Sequence, residues 1–572
     1  MAEHVIEVAP APTIRWVADL ATQRRPQDPV FAQFLPAYYR ELPEFDVDDR
    51  RADDLYAVAL AHYVAGRVRR PGETIVTVTS PDRELDGWYS ERTVALIVTD
   101  DAPFLVDTIR IVLERHMVGT HLLVHPTLHV RRDEDGTLTE ILPARREGAS
   151  DDDLVEAWTQ FEIDRCEADL AAQLQAELAA AVETVHRAVA DFVPMRERML
   201  ASTDADPLLG WLAANHFVFL GAAVYDIGPD GPVCRDGSTL GELDVDSPVD
   251  PPIEATVGDD GLPVVSIARS SRVASVHRAS RMTAVTVLRR SADGSVTAER
   301  FIGLLAASAY RAGVLTIPTV GDRARAVLGL AIDGPETHTG RSMRNVLETL
   351  PRDLVFELDA DSLAQLVIDI VGLQERQIVR VFDVPEPVGM LSTVLVYLPK
   401  NRFTADLPER IAELVGAAYG SSVRDLESYL GTSTLARVTF TVERSDDAEP
   451  DLDALSDAVD ELTTSWIERV REAAVHEHGD ERGSRLIARC ALVAPAGYRT
   501  NVDPTTAVGD LDRIVAMLDA GERKRLAFTH EVGSEDDVWR VRVYSKDTPI
   551  ELADLLPTLD HVGLRALDEH PY

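Results

Sequence analysis

Apolar residues in this chain switch repeatedly between the two-residue period of a strand and the three-to-four-residue period of a helix. Residues 1–85 are predicted to be mainly helical, with a helix over Asp48–Arg70 that ends at the Pro71–Gly72 pair. An apolar, β-branched run at Thr93–Val98 then predicts a strand, and a helix with one apolar face follows over Phe104–Met117. This succession indicates small α+β units.

The rest of the first unit follows from the same two periods. A turn is expected at Asp133–Gly136, among strands at Thr120–Arg131, Leu138–Leu142 and Ala157–Ile163. Apolar positions then recur every three or four residues from Leu170 to Phe192, which predicts a long helix that ends or kinks at Pro194.

A second domain is expected to begin near Pro207 with a strand over Asn215–Asp226. Residues 228–262 are rich in Gly, Pro and Asp and are predicted to be a mobile loop. The remaining predicted strands of this domain are Val264–Ile267, Ala284–Arg289 and Ala298–Ala306. Predicted helices follow at Asp322–Leu330, Ser342–Leu350 and Asp361–Gln374.

Two further α+β modules complete the pattern. The first has predicted strands Ile378–Phe382, Met390–Leu398 and Leu435–Val442 and helices Asp406–Tyr419 and Leu452–Val475. The second has predicted helices Thr505–Leu518 and Ile550–Leu559 and strands Arg525–Glu531, Trp539–Tyr544 and Leu564–Leu567. The fold class is therefore multidomain α+β. The expected divisions are a helical segment (1–85), a first module with its long helix (86–203), an α+β domain (204–335), a helical connector (336–376) and two modules (377–482 and 483–572). The last module is expected to be truncated at its end.

Composition narrows the class of protein. The chain has 97 acidic and 57 basic side chains, a net charge of −40, so nucleic acid is not an expected partner. No apolar run approaches the roughly 20 residues of a membrane helix, and Met1–Pro10 does not have the pattern of a signal peptide. Three widely spaced cysteines, Cys166, Cys234 and Cys490, favour a reduced, cytoplasmic location.

Several motifs of catalysis are missing from the sequence. Neither the glycine-rich dinucleotide cradle GxGxxG nor the Walker pattern is present, and neither GxSxG nor HExxH occurs. His476-Glu-His478 gathers imidazoles and an acid, but a solvated helix end explains it more simply. His121, His125 and His129 could line one helix face and bind a metal; on a strand, residues four apart lie about 13 Å from each other, too far for one ion. Because Pro126 and many β-formers surround them, we expect a strand and no metal site.

Two charged groups are candidates for binding. Asp100 and Asp101 stand before the predicted helix, where capping is the simpler role and a place at a ligand-binding turn the alternative. The arginines Arg269, Arg272, Arg278 and Arg281 could hold an anion, although a solvated or inter-domain ion-pair role is the leading interpretation.

From about residue 90 to the end, a series of segments resembles, in the same order along the chain, the large bacterial NAD-specific glutamate dehydrogenases. Those that carry the resemblance are Asp100–Thr108 (DDAPFLVDT), His121–Arg132 (HLLVHPTLHVRR), Trp211–Gly221 (WLAANHFVFLG), Ser275–Arg278 (SVHR), Phe301–Leu305 (FIGLL), Ser308–Tyr310 (SAY), Arg344–Asp353 (RNVLETLPRD), Leu373–Arg376 (LQER), Val396–Phe403 (VYLPKNRF), Leu555–Leu559 (LLPTL) and Gly563–Tyr572 (GLRALDEHPY). The resemblance implies ACT-like, ferredoxin-like βαββαβ modules in an N-terminal regulatory part of the enzyme.

The resemblance also implies a function for the whole enzyme, the oxidative deamination of L-glutamate to 2-oxoglutarate with NAD reduction. The catalytic core would lie outside this segment, so no catalytic, cofactor-binding or metal residue is assigned here, and NAD belongs to the full-length enzyme. The implied partners are that core, other subunits of a homo-oligomer and an amino-acid effector. A freestanding amino-acid sensor, a purely structural assembly arm and a complete enzyme of unfamiliar mechanism are the alternatives.

ACT modules usually carry an Asp-x-Pro-Gly turn after the first strand. Here Asp100, Asp101, Pro103 and Phe104 form the corresponding candidate regulatory turn, with phenylalanine where the family has glycine. Because a glycine allows close backbone approach to a ligand and Phe104 would crowd it, packing between modules or subunits is favoured over ligand binding at this turn.

Overall fold

The computed structural model describes residues 12–47, 50–84, 86–143, 153–253, 262–332, 334–373, 376–386, 391–444, 449–490, 494–529 and 539–572. The chain divides into two compact units, one of Met1–Gly372 with Glu386–Gly389 and one of Leu373–Pro385 with Met390–Tyr572. None of the helices in the described ranges combines the length and apolar character needed to cross a membrane.

The first unit begins with three helices that bury an aromatic cluster. They are α1 (Pro12–Arg24), α2 (Pro29–Tyr38) and α3 (Ala52–Gly66). Phe34 stacks on Tyr38 with ring centroids 5.0 Å apart and meets the edge of Trp158 at 4.8 Å. The helices therefore cover one face of the first sheet, to which Trp158 belongs.

That first sheet is antiparallel throughout. Its elements are β1 (Ile75–Thr79), β2 (Thr93–Asp100), α4 (Leu105–Arg115), β3 (Thr120–Val124), β4 (Thr127–Arg132), β5 (Leu138–Leu142), β6 (Leu154–Ile163) and α5 (Ala168–Ala190). The strand order is β1-β2-β6-β4-β5, and β3 also pairs with β6. Helices α4 and α5 pack on the face opposite α1–α3, with Ile109, Leu174 and Leu178 in that core. Because both faces are covered, β2 is a nearly continuous buried apolar run.

The edge strand of this module comes from an unexpected place. In a βαββαβ unit the strand beside the first one follows the second helix. Here β1 occupies that position and precedes the module, which gives the order ββαββββα, with β3 and β4 both pairing with β6 and β5 added beside β4. Residues 1–85, predicted to be mainly helical, thus contain a strand, and a boundary at 85 would separate it from its sheet.

A second sheet follows α6 (Phe192–Ala201) and α7 (Pro207–Ala213). Its strands are β7 (Phe217–Gly228), β8 (Gly231–Cys234), β9 (Leu240–Gly241), β10 (Val264–Val273), β11 (Arg281–Arg290) and β12 (Val296–Leu305). The order is β10-β11-β12-β7-β8, with β9 pairing β7. The prediction of a mobile loop over 228–262 is wrong where β8 and β9 join the sheet. Gly241 permits this close approach, since a Cβ there would lie 2.1 Å from the Leu220 carbonyl oxygen.

Short helices close the first unit. They are α8 (Ala307–Arg311), α9 (Val320–Leu328), α10 (His338–Thr349), α11 (Arg352–Glu357) and α12 (Ala360–Gly372), with single-turn 3₁₀ helices at Glu44–Asp46 and Val314–Thr316.

The second unit contains a four-stranded module whose strand order corresponds to that of β1, β2, β6 and β4 in the first sheet. Its elements are β13 (Arg380–Pro385), β14 (Leu391–Pro399), a 3₁₀ turn at Lys400–Arg402, α13 (Leu407–Tyr419), β15 (Val423–Tyr429), β16 (Leu435–Glu443) and α14 (Leu452–Thr463). The sheet order is β13-β14-β16-β15, so the edge strand again precedes the module. The α+β fold with several antiparallel sheets is therefore confirmed.

Helices and one hairpin follow. They are α15 (Trp466–His478), α16 (Asp480–Cys490), α17 (Ala496–Asn501), α18 (Pro504–Asp519), the paired strands β17 (Lys524–Thr529) and β18 (Arg540–Ser545), and α19 (Leu552–His561). The single helix predicted over Leu452–Val475 is wrong, because Ser465 and Glu468 form a reciprocal capping box that starts a new helix. The strand predicted at Leu564–Leu567 is also wrong, since those residues have no regular structure.

Candidate functional site

The candidate regulatory turn joins β2 to α4. Phe104 is the residue before the helix and has left-handed backbone angles (φ 73°, ψ 0°), a conformation that glycine adopts without strain. No side chain caps the helix, so the expected capping role of Asp100 and Asp101 is wrong. Pro103 is exposed at the tip of the turn.

Both carboxylates are instead bound within the first module. Asp100 pairs with the guanidinium of Arg69 and accepts a 3.0 Å hydrogen bond from the Gly72 N–H. Asp101 donates its N–H to the Val155 carbonyl at 3.0 Å, and Thr127 Oγ1 donates to its carboxylate at 3.4 Å. Arg69 lies 31 residues before Asp100, so no local pattern in the sequence indicated this pairing.

A buried charge cluster supports the turn from behind. Glu156 is fully buried and pairs with Arg69 at 2.6 Å and with Arg132 at 2.7 Å. The Trp158 indole N–H donates to the other carboxylate oxygen of Glu156 at 3.0 Å. Because Arg69 also pairs with Asp100, this cluster connects the turn to the centre of the sheet.

The second-sheet domain packs against the other side of the turn. The Phe104 ring lies 4.7 Å from the His277 ring, in the tight turn between β10 and β11. The His277 N–H donates to Thr108 Oγ1 at 3.2 Å, and His277 Nδ1 lies 3.7 Å from an Asp107 carboxylate oxygen. His277 has φ 73°, so two residues with left-handed backbone meet at this contact. The Phe104 turn is thus occupied by a contact with the second-sheet domain.

Two of the three histidines of the first module lie in strands, as predicted: His121 in β3 and His129 in β4, whereas His125 lies in the two-residue connection between them. His121 Nε2 lies 2.7 Å from Asp164 and His125 Nδ1 lies 2.9 Å from Thr159 Oγ1, while His129 pairs in register with Val155 and Leu142. The His121 hydrogen bond and the Gly119 N–H lower the pKa of Asp164, and burial lowers the pKa of His125.

His478 of the His-Glu-His segment lies near acidic groups at the end of α15. Together Glu477, His478 and Asp512 place one potential ligand atom each within 4.8 Å of one another. His478 Nε2 is 2.5 Å from Asp512, but Arg482 also reaches Asp512 at 3.3 Å. Arg482 and His478 contact different oxygens of Asp512, so both oxygens of this carboxylate already have partners and we assign no metal to this group.

Two of the four clustered arginines form buried ion pairs. Arg269 Nε is 2.8 Å from Glu357, and Arg281 contacts both carboxylate oxygens of Glu386 at 2.5 and 2.9 Å. Burial opposes the charge of Arg269, but the two glutamates raise its pKa above the ordinary value. Arg278 donates to the Leu305 carbonyl at 2.8 Å. The carboxylates already present therefore satisfy Arg269 and Arg281, as the ion-pair interpretation expects.

Comparisons with known proteins relate the chain to glutamate dehydrogenases. Five family models match in order: glutamate dehydrogenase ACT1 domain at 34–178, helical motif 1 at 317–376, ACT2 domain at 380–467, helical motif 2 at 473–517 and ACT3 domain at 524–572. The chain is 30% identical to the NAD-specific glutamate dehydrogenase of Halomonas elongata, over 94% of this chain and 35% of that protein. The corresponding enzyme of Pseudomonas aeruginosa is 28% identical over 97% and 36%, and that of Mycobacterium tuberculosis 26% over 90% and 32%. The chain spans about a third of the length of these relatives.

Proposed function

We propose that this chain is the N-terminal regulatory part of an NAD-specific glutamate dehydrogenase, and that it governs and assembles the enzyme without performing the chemistry itself. The reaction of the whole protein would be the conversion of L-glutamate, NAD and water to 2-oxoglutarate, ammonium and NADH. The observation that carries the proposal is the order of the five matched segments, from ACT1 to ACT3.

Two features support a non-catalytic role for these residues. The sequence has no glycine-rich dinucleotide cradle, and the relatives are about three times as long as the matched region. We therefore propose that NAD and glutamate bind to the remainder of the enzyme. We propose a cytoplasmic location for the whole enzyme.

The first module would act through the packing of its Phe104 turn against the second-sheet domain, and not by binding an effector at that turn. Phe104 fills the turn from one side and His277 covers it from the other. Coupling between a regulatory part and a catalytic part typically amounts to about 1–3 kcal/mol, which a rearrangement of such a domain contact could supply. The two-state element proposed is the contact between the Phe104 turn and the His277 turn.

An activity assay with two proteins tests the proposal. The 572-residue chain alone should form no NADH from glutamate and show no NAD binding by calorimetry. The complete enzyme should be active, and removing residues 1–572 from it should alter its oligomeric state or its response to amino acids. Turnover or tight NAD binding by the chain alone would overturn the assignment of chemistry elsewhere.

A thermal-shift screen of the chain against amino acids separates the alternatives. Ligand at about 100 times its dissociation constant stabilises a protein by about 2.7 kcal/mol. A response together with an inactive chain favours sensing. No response, combined with loss of oligomers on deletion, favours a purely structural assembly arm.

A further inference from the structure

The second sheet encloses a cavity that none of the five family models covers, since they leave 179–316 unmatched. It has a volume of about 140 Å³ and lies among β10, β11 and β12, with Pro251, Pro252 and Ile253 lining it. A single water needs only about 10–15 Å³, so the cavity has room for a small organic molecule.

The cavity wall is apolar apart from a few polar groups. Ala284 and Leu288 of β11 belong to the apolar part, and the side chains of Ser266, Thr286 and Arg300 supply the polar groups. A mainly apolar wall with a few convergent polar groups is the usual composition of a small-molecule site.

Arg300 is the unusual member of this wall. Only 3% of the residue is exposed. Its Nε donates to Thr286 Oγ1 at 3.0 Å and its Nη1 to the Pro251 carbonyl at 2.5 Å, both neutral acceptors. Within the described ranges, no carboxylate forms an ion pair with Arg300, whereas the buried Arg69 and Arg269 each pair with two.

The lack of a paired anion has an energetic consequence. Burial lowers the pKa of Arg300 to about 10, and the attraction of Tyr225 and Asp250 opposes this shift only in part. The Asp250 carboxylate itself accepts hydrogen bonds from Ser270 and Ser271. A guanidinium has more donors than the two that are bound here, and its planar fork matches a carboxylate.

We propose that this cavity binds a small carboxylate with an apolar body. The carboxylate would pair with Arg300 and accept a hydrogen bond from Ser266 or Thr286, and the apolar part would pack against Ala284 and Leu288. The inference rests on the second sheet alone and holds whether or not the chain regulates a dehydrogenase. If it does, this cavity and not the Phe104 turn is the effector site.

Binding to the complete 572-residue chain tests the proposal. Acetate, propionate, isovalerate and 2-oxoisovalerate are titrated by calorimetry and ligand-observed NMR, with isovaleramide as the neutral isostere of isovalerate. We expect saturable one-site binding of isovalerate or its 2-oxo acid, and at least tenfold weaker binding of the amide. Equal affinity for acid and amide, or no binding by any of the four acids, would overturn the proposal without any variant.

Two variants and a control locate the site. Arg300→Met removes the charge, and Ala284→Leu fills the cavity while leaving Arg300 in place; each should weaken binding at least tenfold. Arg289→Met is the matched control, because Arg289 lies on β11, pairs with Asp204 and is not among the cavity residues. Circular dichroism establishes that each variant is folded. If either cavity variant is folded and binds like the unmodified chain, the assignment to this cavity is wrong. NADH production plays no part in these readouts, so their failure is distinct from failure of the proposed function.

Discussion

Replacing Glu156 with glutamine should release the regulatory turn from the first sheet. The carboxylate of Glu156 accepts bonds from Arg69 at 2.6 Å, from Arg132 at 2.7 and 2.9 Å and from Trp158 at 3.0 Å. Neither Arg69 nor Arg132 is more than 2% exposed. Glu156→Gln keeps the shape of the side chain but leaves Arg69 with Asp100, which is 41% exposed, as its remaining anion. It leaves Arg132 with backbone carbonyls as its only acceptors among the described residues.

Breaking a buried ion pair by removing one partner costs about 3–5 kcal/mol, because the other charge stays buried without compensation. A loss of that size should speed amide exchange in β2 and β6 by roughly two to four orders of magnitude, since about 1.4 kcal/mol corresponds to a factor of ten. Hydrogen exchange read by mass spectrometry measures this locally, which avoids treating a multidomain chain as one unfolding unit.

The control for this variant is Glu140→Gln in the same sheet. Glu140 pairs with Arg131 at 2.5 Å, but both side chains are at least a third exposed. Exposed pairs contribute about 0–1 kcal/mol, so the exchange rates should change less than tenfold. Equal effects of Glu156→Gln and Glu140→Gln would show that the buried cluster adds no net stability, which refutes the reasoning.

Two further predictions concern the same module. His62 is enclosed between the Tyr38 hydroxyl and the Ile97 carbonyl, and burial lowers its pKa to about 3, so the unfolded state alone takes up a proton below the unfolded value of 6.5. The stability that neutral His62 contributes is fully present above pH 6.5 and decreases towards pH 3, by about 2 kcal/mol at pH 5. The opening free energy of α3, measured by hydrogen exchange, should decrease with this acid slope, and the His62→Gln variant should lack the slope. Parallel slopes in the two proteins would contradict the assignment. Phe104→Gly suits the left-handed backbone but removes the phenyl ring that contacts His277. We therefore expect amide exchange at residues 275–278 to be about tenfold faster, with the exchange of α19 unchanged as an internal control. Unchanged protection at 275–278 would mean that the ring does not hold this domain contact.

Strands buried on both faces were predictable from the sequence. The apolar run at Thr93–Val98 predicts β2, because a sheet covered on two sides buries successive side chains. Strand β15 is different: its sequence VRDLESY is mostly polar and its side chains are mostly exposed, so hydrophobic patterning does not reveal it. It forms because β16 offers a backbone edge, which is a tertiary cause.

The surroundings of the candidate turn could be predicted from the local sequence only in part. The position of the turn after β2 could be predicted from the sequence, and so could the crowding of the turn by Phe104. The fate of Asp100 could not, since Arg69 and Gly72 reach it from another part of the fold and leave α4 without a side-chain cap. Arg300 gave no sequence signal either, because an arginine in a strand becomes unusual only when the fold buries it with neutral acceptors in place of an ion pair.

The edge strand β1 has a practical consequence for anyone dividing this protein. A fragment that starts at residue 86 would begin after β1, and the backbone N–H and C=O groups of β2 that pair with Ile75–Thr79 would become free. An unpaired, apolar strand edge recruits other chains, so such a fragment should aggregate. Cloning boundaries for the first module therefore belong upstream of Ile75.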